Sequence, residues 1–124
     1  MELMLLVVLV GFGGGTGAVL RYVVSGFASR WGDFPLGTLV VNVVGSTLLS
    51  IAVCLQPPTS IIYFFNSGLL GSFTTFSTFS YETFRLIEAG RWLLAISNLL
   101  LNLGLCVTGV FFGRWFVTRI IFGL

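Results

Sequence analysis

Apolar residues fall into four long stretches separated by short polar segments, at about residues 3–28, 36–55, 60–86 and 91–119. A helix that crosses a bilayer needs about 20 consecutive, mostly apolar residues, and each stretch reaches that length. Connections this short join antiparallel neighbours. The pattern therefore predicts an all-α membrane protein in which residues 1–124 form a single domain of four transmembrane helices, with both termini on the same side of the membrane.

Residues that interrupt helices punctuate this pattern. Gln56-Pro57-Pro58 closes the second stretch, because proline has no N–H to donate and cannot continue a helix. The third stretch contains GSFTTFSTFSYE, residues 71–82, where glycine and a run of hydroxyl side chains interrupt an apolar helix. Such a break is tolerated at membrane depth only where protein or water satisfies the freed backbone groups. The third helix is therefore predicted to be broken inside the membrane.

The composition indicates a surface that faces lipid. Of the 124 residues, 56% are hydrophobic and 8% are charged, with a mean hydropathy of +1.07, whereas a soluble domain carries about 25% charged residues. This composition excludes a soluble enzyme, a nucleic-acid-binding protein and a disordered segment. The chain has no histidine, so it lacks the side chain that most often moves protons and binds metals near neutral pH.

The arginines show almost no preference for one side of the membrane. With the termini in the cytoplasm, Arg114 and Arg119 lie inside, whereas Arg30, Arg85 and Arg91 lie outside. A chain with one fixed orientation normally carries an excess of Lys and Arg on the cytoplasmic side. The near balance is expected of a chain that inserts in both orientations, and equally of a small protein that simply has few charges.

Glycine is concentrated in the first stretch, in GFGGGTG at residues 11–17. This segment lacks the spacing and the strand–helix context of a phosphate-binding loop. Small residues four apart instead let helix backbones approach closely, within one subunit or between subunits; the pairs are Gly11 with Gly15, Gly13 with Gly17, and Gly14 with Ala18. Because side chains fill a four-helix bundle, a protein of this size that moves a solute is expected to act as an oligomer.

Two polar residues in the first two stretches are candidate functional residues. Arg21 lies in apolar surroundings, where an arginine costs about 2.5–3.5 kcal/mol on insertion scales. It either attracts anions in an aqueous vestibule or extends its guanidinium to the membrane interface. Asn42 shares a helix face with Thr38, Gly45 and Ser46. Its amide either hydrogen-bonds a neighbouring helix or donates N–H groups into a pore.

The residues after the predicted break combine aromatic rings with hydroxyls. Phe76 and Phe79 lie three apart on one helix face, Ser77 and Thr78 lie beside them, and Glu82 follows three residues after Phe79. An aromatic ring has an electropositive edge, so ring edges and hydroxyl donors together can replace the water around an anion. The same spacing is also that of an aromatic packing stripe, but the hydroxyl-rich break favours a conduction path.

The fourth stretch carries one face of polar or small residues. Members recur at steps of three or four, which is helical spacing; they are Asn98, Asn102, Cys106, Gly109 and Gly113. This face either packs against a partner helix or lines a polar path, and both can hold at different depths.

Three motifs in this order resemble the Fluc family of fluoride channels, also called CrcB proteins. They are GGGTGAVLRY at residues 13–22, GTLVVNVVGS at residues 37–46 and GSFTTFSTFSYE at residues 71–82. The resemblance implies a four-helix subunit with a broken third helix, assembled as an antiparallel, dual-topology dimer with two anion pores. It also implies a sodium ion at the dimer interface, bound by the backbone carbonyls of Gly71 and Thr74.

The resemblance also assigns roles to individual residues. It implies the following: Phe76 and Phe79 are the pore phenylalanines, Ser77 and Thr78 the polar track, Asn42 the pore asparagine, Arg21 the vestibule arginine and Glu82 the acidic residue after the motif. The chain departs from the family at three positions. Ser72 replaces a usual glycine, Asn98 stands where tyrosine is common, and Asn102 stands where serine is common. Both asparagines can still donate hydrogen bonds, so they are included among the expected pore residues.

The predicted function is passive, fluoride-selective export that relieves fluoride toxicity, by a multi-pass protein of the cell membrane that is not an enzyme. The expected partners are fluoride, the lipid bilayer and a second copy of the chain, with Na⁺ as a structural ion and no nucleic acid. One alternative is a small dual-topology multidrug or cation exporter. That function needs an intramembrane acidic residue, and the one candidate, Glu82, lies toward the end of a span. The other alternative is a non-conducting partner subunit of a heterodimeric channel.

Overall fold

The computed structural model describes residues 2–28 and 32–123, and every regular element in these two ranges is helical. The prediction of an all-α protein is thereby confirmed for the described part of the chain. Arg30 and Trp31, which the sequence places in the first turn, lie outside it. The helices are α1 (Glu2–Ala28), α2 (Leu36–Cys54), α3 (residues 59–73), α4 (Phe76–Glu88) and α5 (Trp92–Ile121).

Three of these helices are long and apolar enough to cross a membrane: α1 with 27 residues, α2 with 19 and α5 with 30. A span of about 20 residues suffices for the hydrocarbon core. The region between α2 and α5 contains two shorter helices instead. Helical conformation ends at Phe73 and resumes at Phe76, so α3 and α4 meet within the segment predicted as a broken span.

Most of α3 has the wide turn of a π-helix. It starts with one α-helical turn, Thr59–Ile61, continues as a π-helix over Ile62–Leu70 and returns to α-helix for Gly71–Phe73. At the end of the π-helical part, the N–H of Gly71 donates to the carbonyl of Asn66, five residues earlier. A π-helix is rare and is frequently associated with functional sites. The residue pattern did not predict this π-helix.

Glycines bring α1 into main-chain contact with α3. A Cβ atom on Gly13 would overlap the carbonyl oxygen of Phe64, and one on Gly17 would overlap that of Leu69. Gly11 and Gly15 have no atoms of the described chain within 4 Å of that position. Of the small-residue pairs, Gly13 with Gly17 therefore packs within the subunit, whereas Gly11 with Gly15 faces outward.

A second close contact joins α2 and α5. A Cβ atom on Gly113 would lie 2.7 Å from the carbonyl oxygen of Thr47, and one on Gly109 would overlap the Thr47 hydroxyl. Ser50 Oγ donates to the carbonyl oxygen of Val110 at 2.7 Å. The glycines of the fourth-stretch face therefore pack against α2.

The turns at one end of the bundle are tied together. Helix α4 ends at Glu88, and the turn that follows it contains Gly90, whose φ of 71° suits glycine. The N–H of Arg91 donates to the carbonyl of Leu86 at 2.8 Å. The Arg91 side chain forms an ion pair of 2.9 Å with Asp33, which precedes α2. Both groups are largely exposed, so the pair contributes at most about 1 kcal/mol. It joins the turn before α2 to the start of α5 at this end of the bundle.

The Gly17→Val variant tests the contact between α1 and α3. The added side chain meets main-chain atoms, which cannot move aside as a flexible side chain would, so we expect a loss of about 1–3 kcal/mol in stability. A lower thermal-unfolding temperature in detergent and a smaller monodisperse gel-filtration peak report it. Gly15→Val, the same change on the open face of α1, is the matched control. Wild-type stability of Gly17→Val would contradict the close approach.

Candidate functional site

The site is built around the break between α3 and α4. Thr74 and Thr75 are extended, with ψ of 154° and 113°, a conformation that β-branched residues favour. Thr75 caps the new helix, because its hydroxyl oxygen accepts the N–H of Thr78 at 3.2 Å. The adjacent threonines therefore end one helix and start the next.

Asn42 of α2 hydrogen-bonds both backbone groups of one residue in the break, Thr75. Its Oδ1 accepts the N–H of Thr75 at 2.8 Å, and its Nδ2 donates to the carbonyl oxygen of Thr75 at 3.2 Å. In a continuous α-helix the N–H of Thr75 would donate to the carbonyl of Gly71. The asparagine thus replaces a helical hydrogen bond that the break removes.

A row of hydrogen-bonded side chains continues from Asn42 through α5 to α4. Asn42 Nδ2 donates to Asn102 Oδ1 at 3.0 Å, and Asn102 Nδ2 donates to Asn98 Oδ1 at 2.9 Å. Asn98 Nδ2 donates to Thr83 Oγ1 at 2.8 Å, whose hydroxyl donates to the carbonyl of Phe79 at 2.8 Å. Asn98 is fully buried and Asn102 nearly so. We call these four side chains, Asn42, Asn102, Asn98 and Thr83, the amide row.

A groove of about 550 Å³ lies beside the amide row, between α2, α4 and α5. Phe76 and Phe79 both line it, with ring centroids 5.5 Å apart and planes inclined at 54°. Phe79 is buried, whereas 79% of Phe76 is exposed. Asn42 and Asn102 also line the groove. The predicted pore phenylalanines therefore lie next to two amides, in a groove with otherwise mainly apolar walls.

A second cavity, of about 350 Å³, lies on the other side of the break against α1. Arg21, Ser25, Thr38 and Thr78 line it, and Thr75 lines both this cavity and the groove. The Thr75 hydroxyl donates to Thr78 Oγ1 at 3.0 Å. Ser77, which is exposed, has its hydroxyl 3.2 Å from the same Thr75 oxygen. The hydroxyl cluster thus lies between an arginine-lined cavity and a phenylalanine-lined groove.

Glu82 is hydrogen-bonded at the edge of the arginine-lined cavity. Its Oε1 accepts the hydroxyl of Thr38 at 2.9 Å, whereas its Oε2 is buried without a hydrogen-bond partner among the described residues. Glu82 also lines a depression at the end of the bundle, together with Arg85 and Arg91. The carboxylate therefore lies between the hydroxyl-rich interior and a charged end of the subunit.

The two residues predicted to bind sodium flank the end of α3. Gly71 is exposed and Thr74 is half-buried. The Thr74 hydroxyl donates to the carbonyl of Leu70 at 3.2 Å, so its side chain is used within the helix end. In residues 2–28 and 32–123, no group of three or more His, Cys, Asp or Glu side chains could hold a metal ion. A cation at this position would bind neutral oxygens.

Two residues of the site were missed by the sequence analysis. Thr75 is central to the hydrogen bonds of the break, and a threonine directly before a helical segment is a preferred N-cap residue, which could have identified it. Thr83 shares a helix face with Phe79, four residues earlier. Its bond to Asn98 depends on how α4 meets α5, for which the sequence carries no comparable signal.

Known proteins match this chain over most of its length. Residues 8–114 match the family model described as CrcB-like protein, Camphor Resistance (CrcB). A relative from Methanosarcina acetivorans, named fluoride-specific ion channel FluC 3, is 47% identical over 102 residues, which cover 82% of this chain and 92% of the relative. The proteins named fluoride-specific ion channel FluC from Clostridium novyi and Clostridium perfringens are 44% and 40% identical, and the matches cover 92% and 98% of this chain and 94% and 100% of the relatives. The three motifs resembled this family, the matches confirm the resemblance, and the chain belongs to the CrcB family.

Proposed function

We propose that this protein is a fluoride channel, a multi-pass protein of the cell membrane that exports fluoride passively and catalyses no reaction. Its relatives named fluoride-specific ion channels carry this conclusion, and the helices long and apolar enough to span a membrane agree with it. The feature of the site that supports it best is the break itself, where amide and hydroxyl donors lie between two cavities.

The donors around the break suit a small, strongly hydrated anion. Taking such an ion out of water is costly unless other groups pair with it. Asn42 carries two amide hydrogens, which donate to the Thr75 carbonyl and to Asn102 and for which an anion can replace these acceptors. Ser77 and Thr78 carry hydroxyls, and the ring edges of Phe76 and Phe79 are electropositive. We assign these five residues to the fluoride pathway, with Asn102 lining the groove beside them.

The charged residues at the ends of the path have separate roles in this proposal. Arg21 lines the second cavity, where a fixed positive charge raises the local anion concentration and opposes cations. Glu82 is hydrogen-bonded to Thr38 at the edge of that cavity. It marks the boundary between the hydroxyl-lined interior and the charged end of the bundle.

The geometry favours a channel over a cation exporter. An exporter of cationic drugs needs an intramembrane carboxylate exposed to its substrate, but Glu82 is hydrogen-bonded to Thr38 and its second oxygen is buried. The residues that line the groove are uncharged instead. The other alternative is a non-conducting subunit of a heterodimer. Fluoride flux through liposomes that contain only this purified chain distinguishes the two functions, because a non-conducting subunit would give none.

We also infer that α3 and α4 cross the membrane together as one broken span, and that two subunits assemble antiparallel. The groove that holds Phe76 is open in the subunit, and 79% of that ring is exposed. A path for an ion must be closed off from lipid, so a second copy is needed to cover it. A closed two-fold dimer has two equivalent grooves, which accounts for two pores.

Sodium binding at the break is supported by the carbonyls that the break releases. The N–H of Thr75, the helical partner of the Gly71 carbonyl, donates to Asn42 instead. The N–H of Thr78, the helical partner of the Thr74 carbonyl, donates to the Thr75 hydroxyl. Unwound carbonyls are the groups that bind Na⁺ in broken membrane helices. The ion would supply positive charge to these oxygens and join the breaks of two subunits.

Dual topology predicts that the C-terminus is found on both sides of the membrane. A tag fused after the C-terminus should react with an impermeant reagent from outside intact cells in about half of the molecules, and only after permeabilisation in the rest, because opposite orientations make one dimer. Labelling from one side alone would contradict the antiparallel arrangement.

Backbone binding of sodium predicts that Thr74→Val keeps the sodium dependence of the wild-type protein. The hydroxyl that this change removes is bonded to Leu70 within the helix end, whereas the carbonyl remains. Replacing Na⁺ by N-methylglucamine should reduce the fluoride flux of wild-type and variant liposomes to the same extent. Full flux of both proteins without sodium would contradict the site.

A role for the ring edge predicts that Phe76→Ile forms a normal dimer and conducts fluoride poorly. The substitution keeps an apolar side chain at an exposed position, so its stability cost stays below about 1.5 kcal/mol, but it removes the electropositive edge. Gel filtration followed by fluoride and chloride efflux from liposomes measures both properties. Phe84→Ile, a change at another exposed ring of α4, is the control.

If liposomes that contain the wild-type protein released no fluoride, the proposed function itself would be contradicted. Normal fluoride flux through assembled Phe76→Ile protein would contradict only the pore assignment. Phe79→Ile is a weaker test, because Phe79 is buried within the subunit and its loss also disturbs packing.

A further inference from the structure

The amide row runs between two backbone groups of the same short segment. At one end the N–H of Thr75 donates to Asn42, and at the other end the carbonyl of Phe79 accepts from Thr83. Asn102 and Asn98 lie between them. A backbone N–H can only donate and a backbone carbonyl can only accept, so these ends determine which way each amide in the row must face.

The direction follows from one bond to the next. The Thr83 hydroxyl hydrogen is directed to the Phe79 carbonyl, so the Thr83 oxygen accepts, and Asn98 must face it with Nδ2. Asn98 then presents Oδ1 to Asn102, which must donate to it through Nδ2. Turning one amide end for end would place two NH₂ groups or two oxygens against each other in a buried region, which is unfavourable.

Both amide hydrogens of Asn102 are used by Asn98. Asn102 Nδ2 donates to the Asn98 side-chain oxygen at 2.9 Å and to the Asn98 backbone carbonyl at 3.1 Å. Asn102 nevertheless lines the groove that contains Asn42 and the phenylalanines, where it presents Oδ1 to Asn42. Asn102 could therefore add donors to the groove, but its N–H groups are held by Asn98.

We propose that Asn98 and Thr83 are positioning residues that keep the N–H groups of Asn102 away from the permeating fluoride. This proposal rests on the assignment of Asn42 and the groove to the fluoride pathway. Conduction requires binding weak enough for the ion to leave. The two N–H groups of Asn42 donate to the Thr75 carbonyl and to Asn102 Oδ1, and both of these residues line the groove, so the ion can replace these acceptors. Both N–H groups of Asn102 donate to the buried Asn98, which does not line the groove, so with Asn102 held the ion engages the amide hydrogens of Asn42 alone. With Asn102 released, two amides converge on the ion and slow its departure.

The proposal gives Asn98 a role without contact to the ion. Asn98 is fully buried, and it is Asn102, not Asn98, that lines the groove. The sequence predicts both asparagines as pore residues. In this proposal Asn102 lines the groove, and Asn98 holds Asn102 in place. Thr83 acts one step further away, through its hydrogen bond to Asn98.

The test is a concentration series of fluoride efflux from liposomes containing the full chain. In Asn98→Leu and Thr83→Val, the fluoride concentration for half-maximal flux and the maximal flux should both fall, by about tenfold or more, the effect of one hydrogen bond to a charged group. Thr83→Ser restores the hydroxyl and should restore wild-type values. Thr108→Val removes a threonine hydrogen bond to the backbone elsewhere on α5 and should change neither value.

A merely structural role gives a different result, namely lower maximal flux at an unchanged half-maximal concentration. That result, or wild-type behaviour of both variants, would overturn the proposal. Absence of flux from wild-type protein would overturn the proposed function, and this proposal with it. Should the variants not assemble, the wild-type protein decides, because on addition of fluoride the side-chain amide NMR signals of Asn42 should shift and those of Asn102 should not. Equal shifts would overturn the proposal.

Discussion

The two hydrogen bonds between Asn42 and the backbone N–H and carbonyl of Thr75 are the interaction on which the rest of the site depends. A helix cannot simply stop inside lipid, because each backbone group without a partner costs several kcal/mol there. Asn42 supplies an acceptor to the N–H and a donor to the carbonyl of this one residue, so the chain can leave helical geometry at this point. These hydrogen bonds stabilise the end of α3 at Phe73 and the start of α4 at Phe76. The positions of Phe76 and Phe79 on α4 therefore depend on them.

Close backbone packing, rather than a large apolar core, holds the subunit around this break. Lipid is as apolar as leucine, so helices in a membrane associate through close contact and hydrogen bonds. Gly13 and Gly17 bring α1 against the main chain of α3, and the amide row joins α2, α4 and α5. Many large apolar side chains, such as Leu93, therefore lie on the outside of the subunit, where they can face lipid.

Much of this arrangement could be predicted from the sequence, because strong local signals determine it. Pro58 and the adjacent threonines at 74 and 75 determine where helices start and end, and the apolar stretches determine which segments are long enough to span. The π-helix of α3 has no such signal. The choice between Gly13/Gly17 and Gly11/Gly15 could not be made either, because all four have helical spacing and only the approach of α3 distinguishes their faces. Asn98 and Asn102 could not be distinguished from the sequence either, because they lie four residues apart on one helix face.

In the proposed channel, the break couples an anion path to a cation site through one hydrogen bond. When the N–H of Thr75 donates to Asn42, the carbonyl of Gly71 loses its helical partner, and the NH₂ group of Asn42 donates to the Thr75 carbonyl and to Asn102 Oδ1 at the groove. One change of partner therefore produces both an acceptor suited to Na⁺ and a donor that fluoride can engage in place of these acceptors. Neutral amide and hydroxyl groups can then meet the ion without trapping it, which a fixed positive charge in the groove would do.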